Sequence, residues 1–206
     1  MSTGVIYLVL FVIGYLSDSL IFAYIITKLV TGTDIRNLGN KNPGAANTFK
    51  NVGPFWGILA GLLDALKALI PILIGHYFFD LSSISLGFIG FGAVIGHGHP
   101  IFFGLNGGRA AGTLMGIYIF FIPIELLAAF IVIPIIVFTI VKTNRSYWAP
   151  FGIISFSATL SLIFNNPVEV KIIVVSVADL GLFLNRFYLR QMIKNLITKT
   201  RKINRF

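Results

Sequence analysis

Two polar segments interrupt an otherwise apolar chain, and both combine the residue types that bind phosphate. The first, residues 31–54, contains five Asn, four Gly and three basic residues. Asn42-Pro43 predicts a helix N-cap followed by proline at the first helical position, and Gly53-Pro54 predicts the end, so we expect a short helix at about 43–52. Free N–H groups at its start would attract an anion. An ordinary glycine-rich connector has a similar composition, so this segment alone leaves both interpretations open.

The second polar segment, residues 96–113, repeats the combination of flexible backbone, a cation and a helix start. Gly107-Gly108-Arg109 leads directly into an apolar run, and this arrangement suits a phosphate. His97 and His99 raise the question of a metal, but no third ligand is evident, which favours a structural or hydrogen-bonding role. The chain lacks the Gly-x-x-x-x-Gly-Lys-Ser/Thr pattern, so nucleotide hydrolysis is unsupported.

Among the ionisable residues within the apolar runs, Asp18, Asp64, Lys67 and Asp179 stand out, because a charge there needs a partner or a cavity. Asp64 and Lys67 are three residues apart, so they can pair on one helix. Asp18 has no partner that can be assigned from the sequence.

The elements that must position these segments are membrane helices. Of the 206 residues, 56% are hydrophobic and 11% are charged, whereas average soluble domains carry about 25% charged residues. The absence of Cys excludes disulfides and thiolate metal sites. The net charge of +9 is concentrated towards the C-terminus, which predicts contact with anionic lipid headgroups rather than with nucleic acid.

The apolar runs predict an all-α, polytopic helix bundle of about seven short transmembrane helices. Pro123 and Glu125 interrupt the longest run, and with a turn there the basic and acidic connections alternate across seven spans. This alternation places the N-terminus outside and the C-terminus in the cytoplasm. We expect residues 1–206 to form a single domain with a basic cytoplasmic tail at 185–206. The runs occupy residues 5–30, 55–79, 84–97, 113–141, 151–164 and 171–184.

The two polar segments resemble motifs of the bacterial acyl-phosphate:glycerol-3-phosphate acyltransferases. The first family motif, approximately Gly-Ser-Gly-Asn-x-Gly-Ala-Thr-Asn, corresponds to Gly39-Asn-Lys-Asn-Pro-Gly-Ala-Ala-Asn47. The second, approximately Gly-His-x-Phe-Pro…Gly-Gly-Lys-Gly-Val-Ala-Thr, corresponds to Gly96-His-Gly-His-Pro100 and Gly107-Gly-Arg-Ala-Ala-Gly-Thr113. The similarity is dense over residues 14–116 and thinner beyond, and it implies seven short spans with the motifs on the cytoplasmic side.

Several departures fall on motif residues. Asn40 stands where the family has serine, Lys50 where it has arginine, and Arg109 where it has lysine. In the third motif, approximately His-Arg-x-Asn-Ile-x-Arg-Leu-Leu, Asn185 replaces the histidine and Tyr188 replaces the asparagine. Lys50 and Arg109 keep the positive charge, although lysine loses the bidentate geometry of arginine.

The resemblance implies transfer of a fatty acyl group from acyl phosphate to glycerol 3-phosphate, which gives lysophosphatidate for phospholipid synthesis. It implies no cofactor and no metal, membrane lipids as partners, and a multi-pass protein of the cell inner or plasma membrane with cytoplasmic active-site loops. The alternative is a catalytically degenerate relative that binds a phosphorylated lipid or uses another acceptor. The residues implied in catalysis are Asn40, Lys50 and Arg109. Those implied in substrate or phosphate binding are Arg36, Asn42, Gly44, Asn47, His97, Gly107, Gly108 and Arg186.

Overall fold

The computed structural model describes residues 2–141, 145–190 and 193–194, and these residues form α-helices and short 3₁₀ turns. Lys142 and most of the tail predicted at 185–206 lie outside the described residues. The helices are α1 (Thr3–Asp18), α2 (Phe22–Thr31), α3 (Ala45–Asn51), α4 (Pro54–Phe79), α5 (Ser83–Gly98), α6 (Ala111–Phe121), α7 (Pro123–Ile140), α8 (Arg145–Ile163) and α9 (Val168–Leu184). The predicted all-α class is confirmed.

Two of the predicted apolar runs are divided in the structure. The run at 113–141 becomes α6 and α7, with only Ile122 between them and Pro123 at the first position of α7, as the proline predicts. The run at 5–30, which we expected to be continuous, breaks at residues 19–21 between α1 and α2. This break releases the carbonyl oxygen of Leu20 from helical bonding, and it accepts a hydrogen bond from Lys67 Nζ at 2.5 Å.

The helices bear apolar side chains on both their inner and their outer faces. Fully buried residues such as Ile72, Ile117 and Val174 form the centre, while Phe78 and Ile140 remain largely exposed. Four helical stretches in the described part are long and apolar enough to cross a bilayer: 3–31, 54–79, 83–103 and 123–140. Shorter apolar helices lie at 111–121 and 148–163, so the count of seven crossings stays a prediction.

Close helix packing depends on small residues at four-residue spacing. The four-residue spacing of Gly112 and Gly116 predicts helix packing, and a Cβ at Gly116 would overlap the carbonyl oxygen of Ala65, which confirms this role in the α4–α6 contact. The sequence did not single out a second pair. A Cβ at Gly92 would overlap the carbonyl oxygen of Phe11, and one at Gly96 that of Tyr15, so this pair brings α5 against α1.

Candidate active site

A polar cavity of about 300 Å³ forms where both polar segments and the end of α9 meet. Its cations, Arg36, Lys41 and Arg109, come from both polar segments, and the backbone of Gly107 and Gly108 completes its wall. The principal lining residues are Arg36, Lys41, Asn42, Asn106, Gly107, Gly108, Arg109, Asn185 and Tyr188. The sequence prediction had not assigned Lys41 to the site, although it follows Asn40 in the first motif.

An apolar cavity of about 260 Å³ adjoins the polar one. Asn42, Arg109 and Asn185 line both cavities, so a polar junction connects them. The lining of the apolar cavity comes from α3, α4, α5, α6, α8 and α9. It includes Gly44, Ala45, Ala46, Gly61, Asp64, His97, Ala111, Gly112, Leu114, Met115, Phe151, Ile154, Ala178 and Leu182.

Asn47 organises the first polar segment from within. Its side chain is 2% exposed, and Nδ2 donates to the carbonyl oxygens of Ile35, Leu38 and Asn42 at 3.0–3.2 Å. Its Oδ1 accepts from the Asn40 backbone N–H at 3.3 Å and from Asn51 Nδ2 at 2.9 Å. The protein thus engages both polar atoms of Asn47, and its predicted contact with substrate stays a prediction.

The short helix predicted in this segment exists, but its start differs from the prediction. Helix α3 begins at Ala45 with Gly44 as its N-cap residue, so Asn42 is not the cap. A turn intervenes, because the Gly44 N–H donates to the Asn42 carbonyl and the Asn42 N–H donates to Asn40 Oδ1. This turn leaves Asn42 at the junction of the two cavities.

The predicted residues Asn40, Lys50 and Arg186 are not among those that line either cavity. Lys50 is exposed on α3, while Asn47 on the preceding turn is buried. Arg186 Nη1 donates to the Phe183 carbonyl at 2.9 Å, and its guanidinium lies 4.1 Å from the centre of the Phe183 ring. The roles assigned to these three residues stay predictions.

Arg36 reaches the polar cavity with much of its guanidinium already engaged. It forms an ion pair with Asp34 at 2.8 Å and donates to the Phe103 carbonyl at 3.0 Å, which ties the two polar segments together. The hydrogen bonds from Arg36 lower the pKa of the Asp34 carboxyl below its usual value, although partial burial opposes this change.

Arg109 occupies the junction, and the C-terminal segment holds it in two ways. Asn185 Nδ2 donates to the Arg109 carbonyl at 3.2 Å, and the Arg109 guanidinium lies 3.9 Å from the centre of the Tyr188 ring. The amides of Gly107 and Gly108 donate to the carbonyls of Gly98 and His97 at 3.2 and 3.0 Å. These amides therefore shape the loop, and the guanidinium is the charged group that the loop presents.

A buried ionic cluster of Asp18, Asp64, Lys67 and His97 lies behind this loop. The predicted Asp64–Lys67 pair is confirmed at 2.9 Å, and Lys67 Nζ lies 3.1 Å from His97 Nδ1. Asp18 gains the partners that the sequence did not reveal, since its Oδ1 lies 3.5 Å from Lys67 Nζ and accepts from Thr113 Oγ1 at 2.6 Å. Among the described residues, no group of three or more His, Cys, Asp or Glu is arranged to hold a metal ion.

The family model described as glycerol-3-phosphate acyltransferase matches residues 8–199. The glycerol-3-phosphate acyltransferase of Aquifex aeolicus is 39% identical over 125 residues, 61% of this chain and 65% of that protein. The enzyme of the same name from Geotalea daltonii is 33% identical over 157 residues, 76% of each chain. The alignments with the first two relatives span 65% and 63% of their lengths, slightly less than two thirds.

Two solved structures resemble this fold over 92% of both chains. One is a crystal structure of PlsY (YgiH), an integral membrane glycerol 3-phosphate acyltransferase, in its glycerol 3-phosphate form, with 31% identity and a TM-score of 0.81. The other is the lysophosphatidic acid form, with 28% identity and a TM-score of 0.79.

Proposed function

Because the chain belongs to the glycerol-3-phosphate acyltransferase family, we propose that it transfers a fatty acyl group from acyl phosphate to glycerol 3-phosphate in the membrane. The observation that carries this proposal is the position of Arg109 where a polar and an apolar cavity meet. A substrate with a phosphate group and a long hydrocarbon tail matches two adjoining cavities of these characters. Glycerol 3-phosphate, named for one of the related structures, is small and anionic enough for the polar cavity.

The reaction requires little covalent chemistry from the protein. Acyl phosphate is a mixed anhydride and therefore already activated. The acceptor hydroxyl oxygen forms a bond to the acyl carbon, the bond from that carbon to the phosphate oxygen breaks, and the hydroxyl proton ends on the released hydrogen phosphate. The protein then contributes binding, alignment and stabilisation of negative charge.

Arg109, Lys41 and Arg36 supply positive charge around the polar cavity. Arg109 is suited to the phosphate because a guanidinium can donate two parallel hydrogen bonds to phosphate oxygens. Asn42 adds an amide at the junction, where the reacting carbonyl would lie between the two cavities. The acyl chain would extend along Leu114, Met115 and Ile154 in the apolar cavity.

A second candidate is binding of a phosphorylated lipid without acyl transfer. It is favoured by the positions of Asn40 and Lys50, which do not line either cavity although they occupy motif positions. Both candidates use the same cavities, and only turnover separates them.

The deciding experiment follows phosphate release and lysophosphatidate formation by the purified protein in lipid nanodiscs. The substrates are palmitoyl phosphate and glycerol 3-phosphate, each also supplied alone. We expect release that depends on both substrates and equals the amount of lipid product. Folded protein that releases no phosphate but binds lysophosphatidate would support the second candidate instead.

We further propose that the protein resides in the cell inner or plasma membrane with the loops of the site in the cytoplasm. The charge pattern supports this orientation, since Arg36, Lys41 and Arg109 lie at one set of connections and Asp80 at the other. The chain has no Cys, so single cysteines at Asp80 and Asn106 can be labelled with an impermeant maleimide in intact cells. We expect labelling at position 80 only; labelling of both positions would contradict the orientation.

A further inference from the structure

Lys67 lies at the centre of the buried ionic cluster and is not among the residues lining either cavity. Its side chain is 5% exposed, and Nζ contacts groups on separate elements. These are the Leu20 carbonyl between α1 and α2, Asp18 on α1, Asp64 on α4 and His97 on α5. An ammonium has three donors and no lone pair, so His97 Nδ1 accepts and the ring proton lies on Nε2.

Through His97, the cluster contacts Gly108, the residue before Arg109. The His97 carbonyl accepts the Gly108 N–H at 3.0 Å, and the imidazole lies so close to Gly108 that a Cβ there would overlap Nε2. Lys67 fixes the orientation of this ring through Nδ1. Because Gly108 packs against the ring, the orientation of the imidazole and the position of the backbone before Arg109 depend on each other.

Through Asp18, the cluster also contacts the helix that follows Arg109. Asp18 lies beside Lys67 and accepts the Thr113 hydroxyl in the first turn of α6 at 2.6 Å. Between Gly108 and Thr113, Ala110 has a φ of 57°. This left-handed conformation is unfavourable for alanine and persists only when the surrounding structure holds it. The cluster thus restrains the backbone on both sides of Arg109.

We infer that Lys67 is a positioning residue that presents the Arg109 guanidinium to the phosphate of glycerol 3-phosphate. It acts through two contacts, His97 with Gly108 before Arg109 and Asp18 with Thr113 after it. This inference rests on the proposed function. Wild-type turnover tests that function, whereas the behaviour of variants at Lys67 and Thr113 tests the positioning role. The two can therefore fail separately.

The test compares glycerol 3-phosphate saturation curves, at constant palmitoyl phosphate, for wild type, Lys67→Met, Thr113→Val and the control Glu125→Met. Glu125 is also buried and accepts from Asn166 Nδ2 at 2.5 Å, but it lies beyond the far end of α6. Rates are normalised to folded protein measured by size exclusion and thermal unfolding in nanodiscs. We expect KM to rise about tenfold for Lys67→Met and about threefold for Thr113→Val, since small misplacements of an aligning group are costly. Glu125→Met should lower Tm with KM unchanged.

A double-mutant cycle distinguishes positioning from general stabilisation. The flexible ammonium of Arg109→Lys depends less on the loop geometry than the planar guanidinium does. Lys67→Met should therefore raise KM by a smaller factor in the Arg109→Lys background than in wild type. Equal factors in both backgrounds, or a Lys67→Met variant whose only change is a reduced folded fraction, would overturn the inference. If Lys67→Met does not fold, Thr113→Val carries the test, and an unchanged KM for that variant overturns it.

Discussion

The two ends of the helix bundle connect the same helices in different ways. At one end, tight turns join α4 to α5, α6 to α7 and α8 to α9, and the connection between α6 and α7 is the single residue Ile122. At the other end, the connections are long: residues 32–53, which include the short helix α3, and residues 99–110. The chain also continues past α9 into residues 186–190, which are helical. We refer to these as the turn end and the loop end.

The connections at the two ends differ in their contacts as well as in their length. At the turn end, local contacts define the starts of helices, since Ser82 accepts the Ser85 N–H and Pro123 begins α7. One long-range contact, from Asn166 Nδ2 to Glu125, joins two of the turns. Long-range contacts shape the loop end, including Arg36 to the Phe103 carbonyl and Asn185 to the Arg109 carbonyl. A tight turn satisfies much of its own backbone, whereas a long loop is held by contacts between distant residues. The two loops themselves carry the cations of the polar cavity, Arg36, Lys41 and Arg109.

Arg109→Ala should produce the largest difference between the ends. It removes the guanidinium at the junction of the cavities, so we expect acyl transfer to fall at least about 100-fold, a typical effect of deleting one stabilising donor. The matched change at the turn end is Lys171→Ala, which removes a cation whose ammonium donates to the Leu162 carbonyl at 3.2 Å. Turnover by both purified variants checks this, and near-wild-type activity of Arg109→Ala would remove Arg109 from the site.

Met115→Trp should separate the roles of the two cavities at the loop end, because it fills the apolar cavity and leaves the polar one unchanged. Loss of room for two or three methylene groups, at about 0.8 kcal/mol each, lowers kcat/KM for palmitoyl phosphate by about 15- to 60-fold. Octanoyl phosphate should be affected much less. Ile131→Trp on the exposed face of α7 is the control. An equal loss for both chain lengths would argue against an acyl-chain site here.

Tyr188→Leu should have a smaller effect, because it removes a stacking partner of Arg109 but leaves the charge. A cation–π contact is worth about 0.5–2 kcal/mol, so we expect KM for glycerol 3-phosphate to rise by about 2- to 30-fold. Tyr188→Phe keeps the ring and should retain the wild-type KM. A loss in Tyr188→Phe that matches Tyr188→Leu would assign the role to the hydroxyl instead of the stack.

Asp34→Asn should have the smallest effect, which appears mainly as a change in the pH dependence of Tm. The folded pKa of Asp34 is lowered by Arg36, so the stabilising contribution is complete above its unfolded value near 3.8 and is lost as the pH falls through the lower folded pKa. The pair is partly exposed, so its contribution is under about 1 kcal/mol. The Tm difference between wild type and Asp34→Asn should stay constant from pH 7 to 5 and shrink below about pH 4. A difference that grows on acidification would contradict this sign.

Local patterns were sufficient to predict several features of the fold and the site. The break at Pro123, the Asp64–Lys67 pair and the short helix near Ala45 all depend on residues within a few positions of one another. The start of that helix was misplaced, because a turn centred on Asn42 competes with the cap that Asn-Pro predicts. The break at residues 19–21 was missed, since its stabilising partner, Lys67, is distant in sequence.

Composition, hydrophobic period and motif spacing are local properties, so they were sufficient to predict the class of the protein, its family and the two segments that carry charge. Which of these charges meet depends on the packing of the helices. The tertiary structure brought Tyr188 and Asn185 to Arg109, gave Asp18 its partners, and placed Lys41 in the polar cavity but not Lys50. Such contacts depend on how helices pack across distances of 50 to 95 residues along the chain, and glycine pairs such as Gly92 and Gly96 set that packing through backbone proximity.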